Sequence, residues 1–559
     1  MDTLSRDLVP TAADHVVDGL LRHGVDTVFG IPGVQTYELF DSLARAGDRV
    51  RVIGARHEQA AGYMAFGYAQ ATGRTGVFTV VPGPGVLNAG AALLTAYGAS
   101  TPVVCLTGEI PSDFLGRGLG HVHEMPDQLA TLKTLTKWST LLSHPSEVPE
   151  AVATAFHQAR VGRPRPVSVA VPWDSLGLRG PAAVVDPLPV HAPVVDPAAV
   201  AEAVARLAGA SRPLILVGGG ARHAGAEVRA LAQHLQAPVV SLRSGRGVVS
   251  DADPLGFSCA AGFEVWAETD VVIGIGTRME LAWFRWPDRP AGLRTILIDI
   301  DPAQATRLAP YLNPEGAAGA LTALVADAAE ASTALTEALR ADGPPRADRT
   351  TEFTALKTRV AAQIRDLGPE WEFLEAIRAV LPPEGLFVEE VCQAGFAAEF
   401  AFPVYAPRTF LTCGHQGTLG FGYPTALGAQ AADPDRAVVT VAGDGGFSFA
   451  LQEIATAVQY GLNVVAVVFD NNAYGNVQLD QQRLFNGRIL GTTLVNPDFA
   501  RLADTFGALG LTAHTPTELG QALDKALNAH RPTVIHVPTP LGQGTSPWKY
   551  LMPASRAAG

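Results

Sequence analysis

The stretch AVVTVAGDGGFSFALQEIATAVQYGLNVVAVVFDNNAYG (437–475) decides the fold. It holds two β-branched apolar runs, 438–441 and 463–469, with Leu451, Ile454, Ala455 and Val458 between them at helical spacing. A strand, a helix and a strand in that order make a crossover unit whose strands run parallel as near neighbours. Asp444 then sits just past the end of the first strand, and Asn471 just past the end of the second. Both fall at the carboxyl edge of the sheet, where open α/β folds bind ligands.

The residue types at that edge limit the chemistry. One carboxylate, one amide oxygen and one backbone carbonyl form a hard, incomplete oxygen site. Such a site suits Mg2+, which keeps octahedral geometry and completes its shell with phosphate oxygens and water. Gly443, Gly445 and Gly446 let backbone N–H groups approach a diphosphate, and a helix starting near Phe447 points its positive end there. GDG alone is better explained as a strand–turn–helix with a solvated acid. The pair Asn471 and Asn472 at the end of the next strand makes the metal–diphosphate reading far more specific.

The rest of the chain repeats the same alternation. Before residue 175, strands are expected at 27–30, 50–55, 76–81 and 102–108, with amphipathic helices between them. Thr11 and Asp14 form a capping box ahead of the first helix. A Pro- and Ala-rich linker (176–197) leads to a second unit with apolar runs at 213–220, 237–242, 270–276 and 295–301. A second linker (340–350) leads to a third unit with runs at 386–391, 408–413, 437–446 and 463–472. The expected fold is α/β, with three consecutive parallel-sheet domains at 5–175, 198–335 and 361–545 and a tail at 546–559.

Composition is that of a globular chain. Of 559 residues, 47% are hydrophobic and 17% charged, enough to bury several cores. The net charge of −13 and the lack of a basic tract give nucleic acid no electrostatic footing. No uncharged apolar run reaches about 18 residues, so no membrane span is expected. The four cysteines lack CxxC spacing, and the first residues lack a charged-then-apolar leader. A cytoplasmic location is the expectation.

With these motifs assembled, the chain resembles the thiamin diphosphate-dependent superfamily of acetolactate synthases, pyruvate decarboxylases and benzaldehyde lyases. The likeness runs through GVDTVFGIPG (24–33), ARHEQAAGYMAFGYAQATG (55–73), PGPGVLNAGAAL (82–93), GTLGFGYPTALGAQ (417–430) and NPDFARLADTFG (496–507), besides GDG and the Asn pair. The resemblance implies thiamin diphosphate and Mg2+ as cofactors, with pyrimidine-binding, central and diphosphate-binding domains in that order. It implies Asp444, Asn471 and the Ala473 carbonyl as metal ligands. Asn471 is chosen over Asn472 because the family's ligand stands two residues before the carbonyl ligand and four before a glycine, here Gly475. Glu58 corresponds to the glutamate that bonds the aminopyrimidine, and Leu419 to the apolar residue that bends the cofactor. Pro82, Asn88, Gly443, Gly445, Gly446, Tyr474 and Gly475 fall in the cofactor-binding segments.

The implied reaction is decarboxylation of a 2-oxo acid, ending in aldehyde release or in carboligation to a second carbonyl. Glu58 shares a proton with the pyrimidine and so makes its imino tautomer accessible. By itself such a glutamate is as readily a first-turn acid on a helix dipole. The resemblance further implies that each site is shared between two subunits, giving a dimer or a tetramer.

Substrate identity is read from departures. Where acetolactate synthases carry a tryptophan, this chain has Asp480, which suits a polar or cationic substrate tail or else a solvated helix face. Gln35 stands where relatives keep a polar active-site residue. His121 and His123 lie on a glycine-rich loop resembling guanidino-oxopentanoate decarboxylases, and relay protons or stay at the surface. His415 and Gln416 precede Leu419 and are candidate catalytic residues. The tail segment 545–553 is either a lid or a packing element. VGGGARHAG (217–225) has His223 in place of the third fingerprint glycine, and 258–263 and 276–283 do not match flavin motifs, so no FAD is expected. The rival readings are acetolactate synthase proper, a dinucleotide-dependent oxidoreductase and an inactive binding homologue. The second leaves GDG and Glu58 unexplained, and the third is opposed by the intact Glu58, Asp444 and Asn471.

Overall fold

The computed structural model describes residues 9–286, 289–312, 321–541 and 548–551. Three six-stranded parallel sheets follow one another along the chain. The first contains β1 (Thr27–Gly30), β2 (Arg51–Gly54), β3 (Gly76–Val80), β4 (Val103–Glu109), β5 (Trp138–Leu141) and β6 (Val167–Pro172), in the spatial order β2-β1-β3-β4-β6-β5. The second contains β7 (Pro213–Val217), β8 (Val239–Ser241), β9 (Gly256–Phe257), β10 (Val271–Ile275), β11 (Arg294–Asp299) and β12 (Leu321–Val325), in the order β12-β11-β10-β7-β8-β9. The third contains β13 (Leu386–Val388), β14 (Phe410–Leu411), β15 (Val438–Gly443), β16 (Val465–Asp470), β17 (Leu509–Thr512) and β18 (Thr533–Pro538), in the order β14-β13-β15-β16-β18-β17.

The first and third sheets therefore share one strand order. The second has the order of dinucleotide-binding folds, with Gly218, Gly219 and Gly220 following its first strand. That topology accounts for the dinucleotide-like loop in the sequence without requiring a dinucleotide. Residues 181–196 and 343–349 join the units without helix or strand. The Thr11–Asp14 capping box forms at the first helix, Ala12–Arg22. Among the described residues, no helix is long and apolar enough to cross a membrane.

The first and third units pack on each other through one continuous apolar core. It joins Phe29, Tyr63, Met64 and Phe66 to Phe421, Tyr423, Leu427 and Phe447. At its centre the helix Glu58–Thr72 lies against the helix Gly422–Ala432. Their backbones approach so closely that a Cβ on Gly428 would stand 1.9 Å from the Met64 carbonyl oxygen. Only glycine fits there, because the neighbour is backbone and cannot rotate away. Gly428→Ala is expected to cost about 1–3 kcal/mol by overpacking. A thermal midpoint equal to that of the unsubstituted chain, at one scan rate, would contradict the packing.

Part of the tail is described. The helix Trp548–Leu551 docks on the central unit of its own chain, where Trp286 Nε1 donates to the Tyr550 carbonyl at 2.9 Å and Phe263 meets the Tyr550 ring edge-on. The rest of 545–553 lies outside the described residues.

Candidate active site

Strand register brings the two halves of the anchor together. β15 and β16 pair in parallel with Gly443 opposite Phe469. Asp444 and Asn471 therefore leave the sheet side by side. A short helix, Asp444–Ser448, begins at the acid itself rather than at Phe447, so Asp444 occupies its first turn.

Asp444 is almost fully buried, at 3% exposure. Its Oδ2 accepts the Ala473 N–H at 3.1 Å and the Asn496 side-chain amide at 2.6 Å. The same Asn496 nitrogen donates to Asp470 Oδ1 at 2.8 Å. Asp470 also lies 3.0 Å from His536 Nε2. Burial, with Asp470 nearby, pushes the Asp444 carboxyl up to about 6. Burial acts on Asp470 in the same sense, but hydrogen bonds from His536, the Asn472 N–H and Asn496 outweigh it and hold that carboxyl down to about 2. Asn472 adopts a left-handed backbone, which asparagine tolerates, and this turns the chain back toward Asp444.

Asn471 Oδ1 is buried without a hydrogen-bond donor among the described residues. A buried amide oxygen left unpaired is costly, and a bound cation would satisfy it. The cleft beyond is lined by Leu419, Gly443–Gly446, Asn471, Ala473, Tyr474 and Gly475, with Glu370 and Phe373 on another wall. Among the described residues, no lysine or arginine lines it. The N-termini of the helices Gln393–Ala401 and Gly475–Leu484 border the cleft and offer N–H groups. A diphosphate here has helix ends but no cationic side chain to meet it. The donor set therefore fits a divalent ion, which Asp444 and Asn471 would hold and which would supply the positive charge a diphosphate needs.

Leu419 sits on a loop fixed by a residue read from the sequence as part of a strand. β13 ends at Val388, the Glu389 N–H still donates to the Leu411 carbonyl of β14 at 3.1 Å, and Glu390 leaves the ladder. Glu390 Oε2 accepts the Gly422 N–H at 3.0 Å, and Oε1 accepts that of Gly420. Burial pushes this carboxyl up to about 7 against those N–H groups. Gly446 must be a glycine because a Cβ would lie 2.8 Å from Glu390 Oε1. Asn496 and Glu390 were missed as site residues. Asn496 opens the quoted NPDFARLADTFG segment, and Glu390 was hidden in an apolar run.

Glu58 opens the helix Glu58–Thr72, with His57 as its cap. Asn88, on the helix Pro84–Gly98, donates to Glu58 Oε2 at 3.0 Å. Pro82 is buried in the turn before that helix. Gln35 is fully buried, donates to the Val122 carbonyl at 3.0 Å, and places Oε1 2.8 Å from His123 Nδ1. Gln35 and His123 are thus brought together, while the His121 ring packs against Phe114. No described residue of the first unit lines the Asp444 cleft.

His415 faces a second cleft, between the three units, which Arg163, Arg222, Arg278 and Arg408 also line, and Gln416 Nε2 lies 3.5 Å from the His415 ring. Arg278 Nη1 lies 3.4 Å from His415 Nδ1, and burial together with that guanidinium pushes the imidazole down. Asp480 is exposed on the helix Gly475–Leu484, while Asn476, Val477 and Leu479 of that helix reach the Asp444 cleft.

Comparison with known proteins agrees with this arrangement. Residues 10–131 match the N-terminal TPP-binding domain of thiamine pyrophosphate enzymes, 200–335 the central domain and 390–537 the C-terminal TPP-binding domain. A probable 2-ketoarginine decarboxylase of Pseudomonas aeruginosa is 35% identical over 507 residues, covering 89% of this chain and 88% of the relative. An acetolactate synthase of Arthrospira platensis is 31% identical over 569 residues, covering 94% of each chain. The acetolactate synthase large subunit of Haemophilus influenzae is 30% identical over 547 residues, covering 93% of this chain and 92% of the relative. The chain therefore belongs to the thiamin diphosphate-dependent enzymes, in the superfamily of acetolactate synthases and 2-oxo acid decarboxylases, and its chemistry is decarboxylation of, or carboligation from, a 2-oxo acid.

Proposed function

We propose that this enzyme is a Mg2+-dependent decarboxylase of a 2-oxo acid with a guanidinium-type tail, assembled as a homodimer or tetramer in the cytoplasm. The observation that carries the substrate class is the cleft wall: apart from the cation-ligand candidate Asp444 it includes Glu370 and, among the described residues, no lysine or arginine. A guanidinium gains charge-assisted hydrogen bonds from such a wall, whereas a second carboxylate would not. The 35% identity to a probable 2-ketoarginine decarboxylase points the same way. Four unpaired, buried cysteines suit a reducing compartment.

When bound, thiamin diphosphate supplies a nucleophilic carbon and an electron sink. The chain supplies the rest. Asp444, Asn471 and the Ala473 carbonyl hold the cation, and Gly443, Gly445, Gly446, Tyr474 and Gly475 shape the diphosphate seat. Leu419 sets the cofactor's bend. Glu58, oriented by Asn88, holds the pyrimidine proton, with Pro82 fixing the turn before the Asn88 helix. His123, paired with Gln35, is placed to handle a substrate proton, and His121 and Asp480 are the more peripheral candidates for the tail. His415 and Gln416 bear on catalysis only if a second chain brings their loop to the substrate.

Assembly follows from the incomplete site. Glu58 is not among the residues lining the Asp444 cleft of its own chain, which supports its supply by a second copy. Leu87 (56% exposed) and Leu94 (42%) flank Asn88 on its helix. Val477 (53%) lines the Asp444 cleft, Phe449 (52%) ends the short helix that starts at Asp444, and Leu484 (64%) ends the helix Gly475–Leu484. Large apolar side chains left bare around both half-sites fit burial by a second copy.

The test is a CO2-release screen over guanidinium, ammonium, aliphatic and aromatic 2-oxo acids, with and without aldehyde acceptors, with products identified by mass spectrometry. The guanidinium acid is expected to exceed pyruvate in kcat/KM by about 10–100-fold, the worth of a hydrogen-bonded charge. Acetolactate as the main product from pyruvate would instead establish the synthase reading, which the relatives from Arthrospira platensis and Haemophilus influenzae support.

A further inference from the structure

The helix Glu453–Tyr460 follows the Asp444 turn in the third unit, yet its polar side chains reach the first. Both carboxylate oxygens of Glu453 accept the Arg56 backbone N–H, at 3.1 and 3.2 Å. Tyr460 OH accepts the Gly54 N–H at 2.9 Å. Gln459 Oε1 accepts the Arg56 guanidinium at 2.6 Å. These contacts grip residues 54–56, the turn from β2 into the Glu58 helix. His57 then caps that helix, its Nδ1 accepting the Gln59 N–H at 3.1 Å, and Glu58 is the next residue along the chain.

Glu453 is fully buried and takes part in no ion pair among the described residues. Thr456 Oγ1 donates to it at 2.6 Å, and burial pushes its carboxyl up to about 6. A buried acid without a cationic partner is costly. If the helix needed only to pack, an apolar residue would do so at lower cost. The carboxyl instead meets the backbone N–H two residues ahead of Glu58.

We propose that Glu453 is a positioning residue for Glu58 and acts within its own chain. This rests on the reading that Glu58 of one chain completes the Asp444 cleft of another. Glu453 then serves the site that its own Asp444 does not build. Nothing in the GDG motif or in the Glu58 segment encodes that link; it exists only where the two units meet.

Mixed oligomers test it. Chains carrying Glu58→Gln and chains carrying Asp444→Ala, bearing different affinity tags, are co-assembled and isolated by tandem purification. Recovery of activity in this mixture establishes the shared site. Glu453→Gln is then added to one chain type at a time. In the Asp444→Ala chain, which supplies the working Glu58, it is expected to cut kcat by about 10–100-fold with KM little changed. Hydrogen–deuterium exchange at C2 of bound thiamin diphosphate should slow in parallel. In the Glu58→Gln chain the same substitution is expected to leave both readouts within about twofold, since the perturbed turn there carries no working Glu58. Equal losses in both arms overturn the proposal and make Glu453 a general packing residue. If the mixture stays inactive before Glu453 is touched, the shared-site reading fails on its own. In that case Glu453→Gln in otherwise unsubstituted protein decides: unchanged C2 exchange sinks the positioning role, and slowed exchange with an unshifted thermal midpoint retains it.

Discussion

Glu58→Gln is expected to lower kcat by about 10²–10⁴-fold, the usual contribution of a positioned acid–base group. The glutamine keeps the shape of the side chain and one oxygen for the Asn88 amide, so the hydrogen bond at 3.0 Å can persist. What it loses is the ability to hold the shared proton. Cofactor affinity, measured by calorimetry, should change little, while exchange at C2 of the bound cofactor falls along with turnover. Glu58 opens its helix behind a His57 cap, so the substitution has little reason to disturb the fold. Near-normal turnover would remove Glu58 from the mechanism.

Asp444→Ala is expected to abolish retention of thiamin diphosphate through dialysis against Mg2+-containing buffer. Among the described residues, the cleft has no lysine or arginine to hold a diphosphate once the cation is lost. Asn496→Ala supplies a graded comparison. It removes the amide that donates to Asp444 Oδ2 but leaves the carboxylate in place. Loss of such a supporting contact weakens metal affinity by about 10–100-fold, so Asn496→Ala should retain cofactor at raised Mg2+ where Asp444→Ala does not. Equal cofactor retention by Asp444→Ala and the unsubstituted protein would show that the anchor lies elsewhere.

The strand–helix–strand unit around 437–475 was legible because side-chain periodicity is a local property. Two β-branched runs bracketing a helical repeat have few other solutions, and parallel strands put their carboxyl ends at one edge. Asp444 and Asn471 were therefore juxtaposed before any coordinates were known, and the register of Gly443 with Phe469 accounts for it. Asn496 and Glu453 were not legible as working residues. Each meets its partner across a long sequence separation, and asparagine and glutamate are ordinary residues in loops and helix first turns. Glu390 was concealed because a pair of acids at the end of an apolar run reads as a strand. It leaves the ladder only because three consecutive N–H groups, at 420–422, wait for it.

His415 and Gln416 show the limit of adjacency. They lie close to Leu419 in sequence, yet the chain turns at Gly414 and Gly417, both in the left-handed region. That carries His415 into the arginine-lined cleft between the units, while Leu419 lines the Asp444 cleft.

The sequence by itself determined the three α/β units, the cofactor family and the pairing of Asp444 with Asn471, because local periodicity and motif spacing survive without coordinates. Tertiary structure alone decided that Glu453 of the third unit accepts the Arg56 N–H, two residues ahead of Glu58, while Glu58 stands outside the lining of that unit's cleft. The reason is that the Glu58 and Gly422–Ala432 helices pack backbone to backbone, at the distance that Gly428 permits, and this fixes how the first and third units meet.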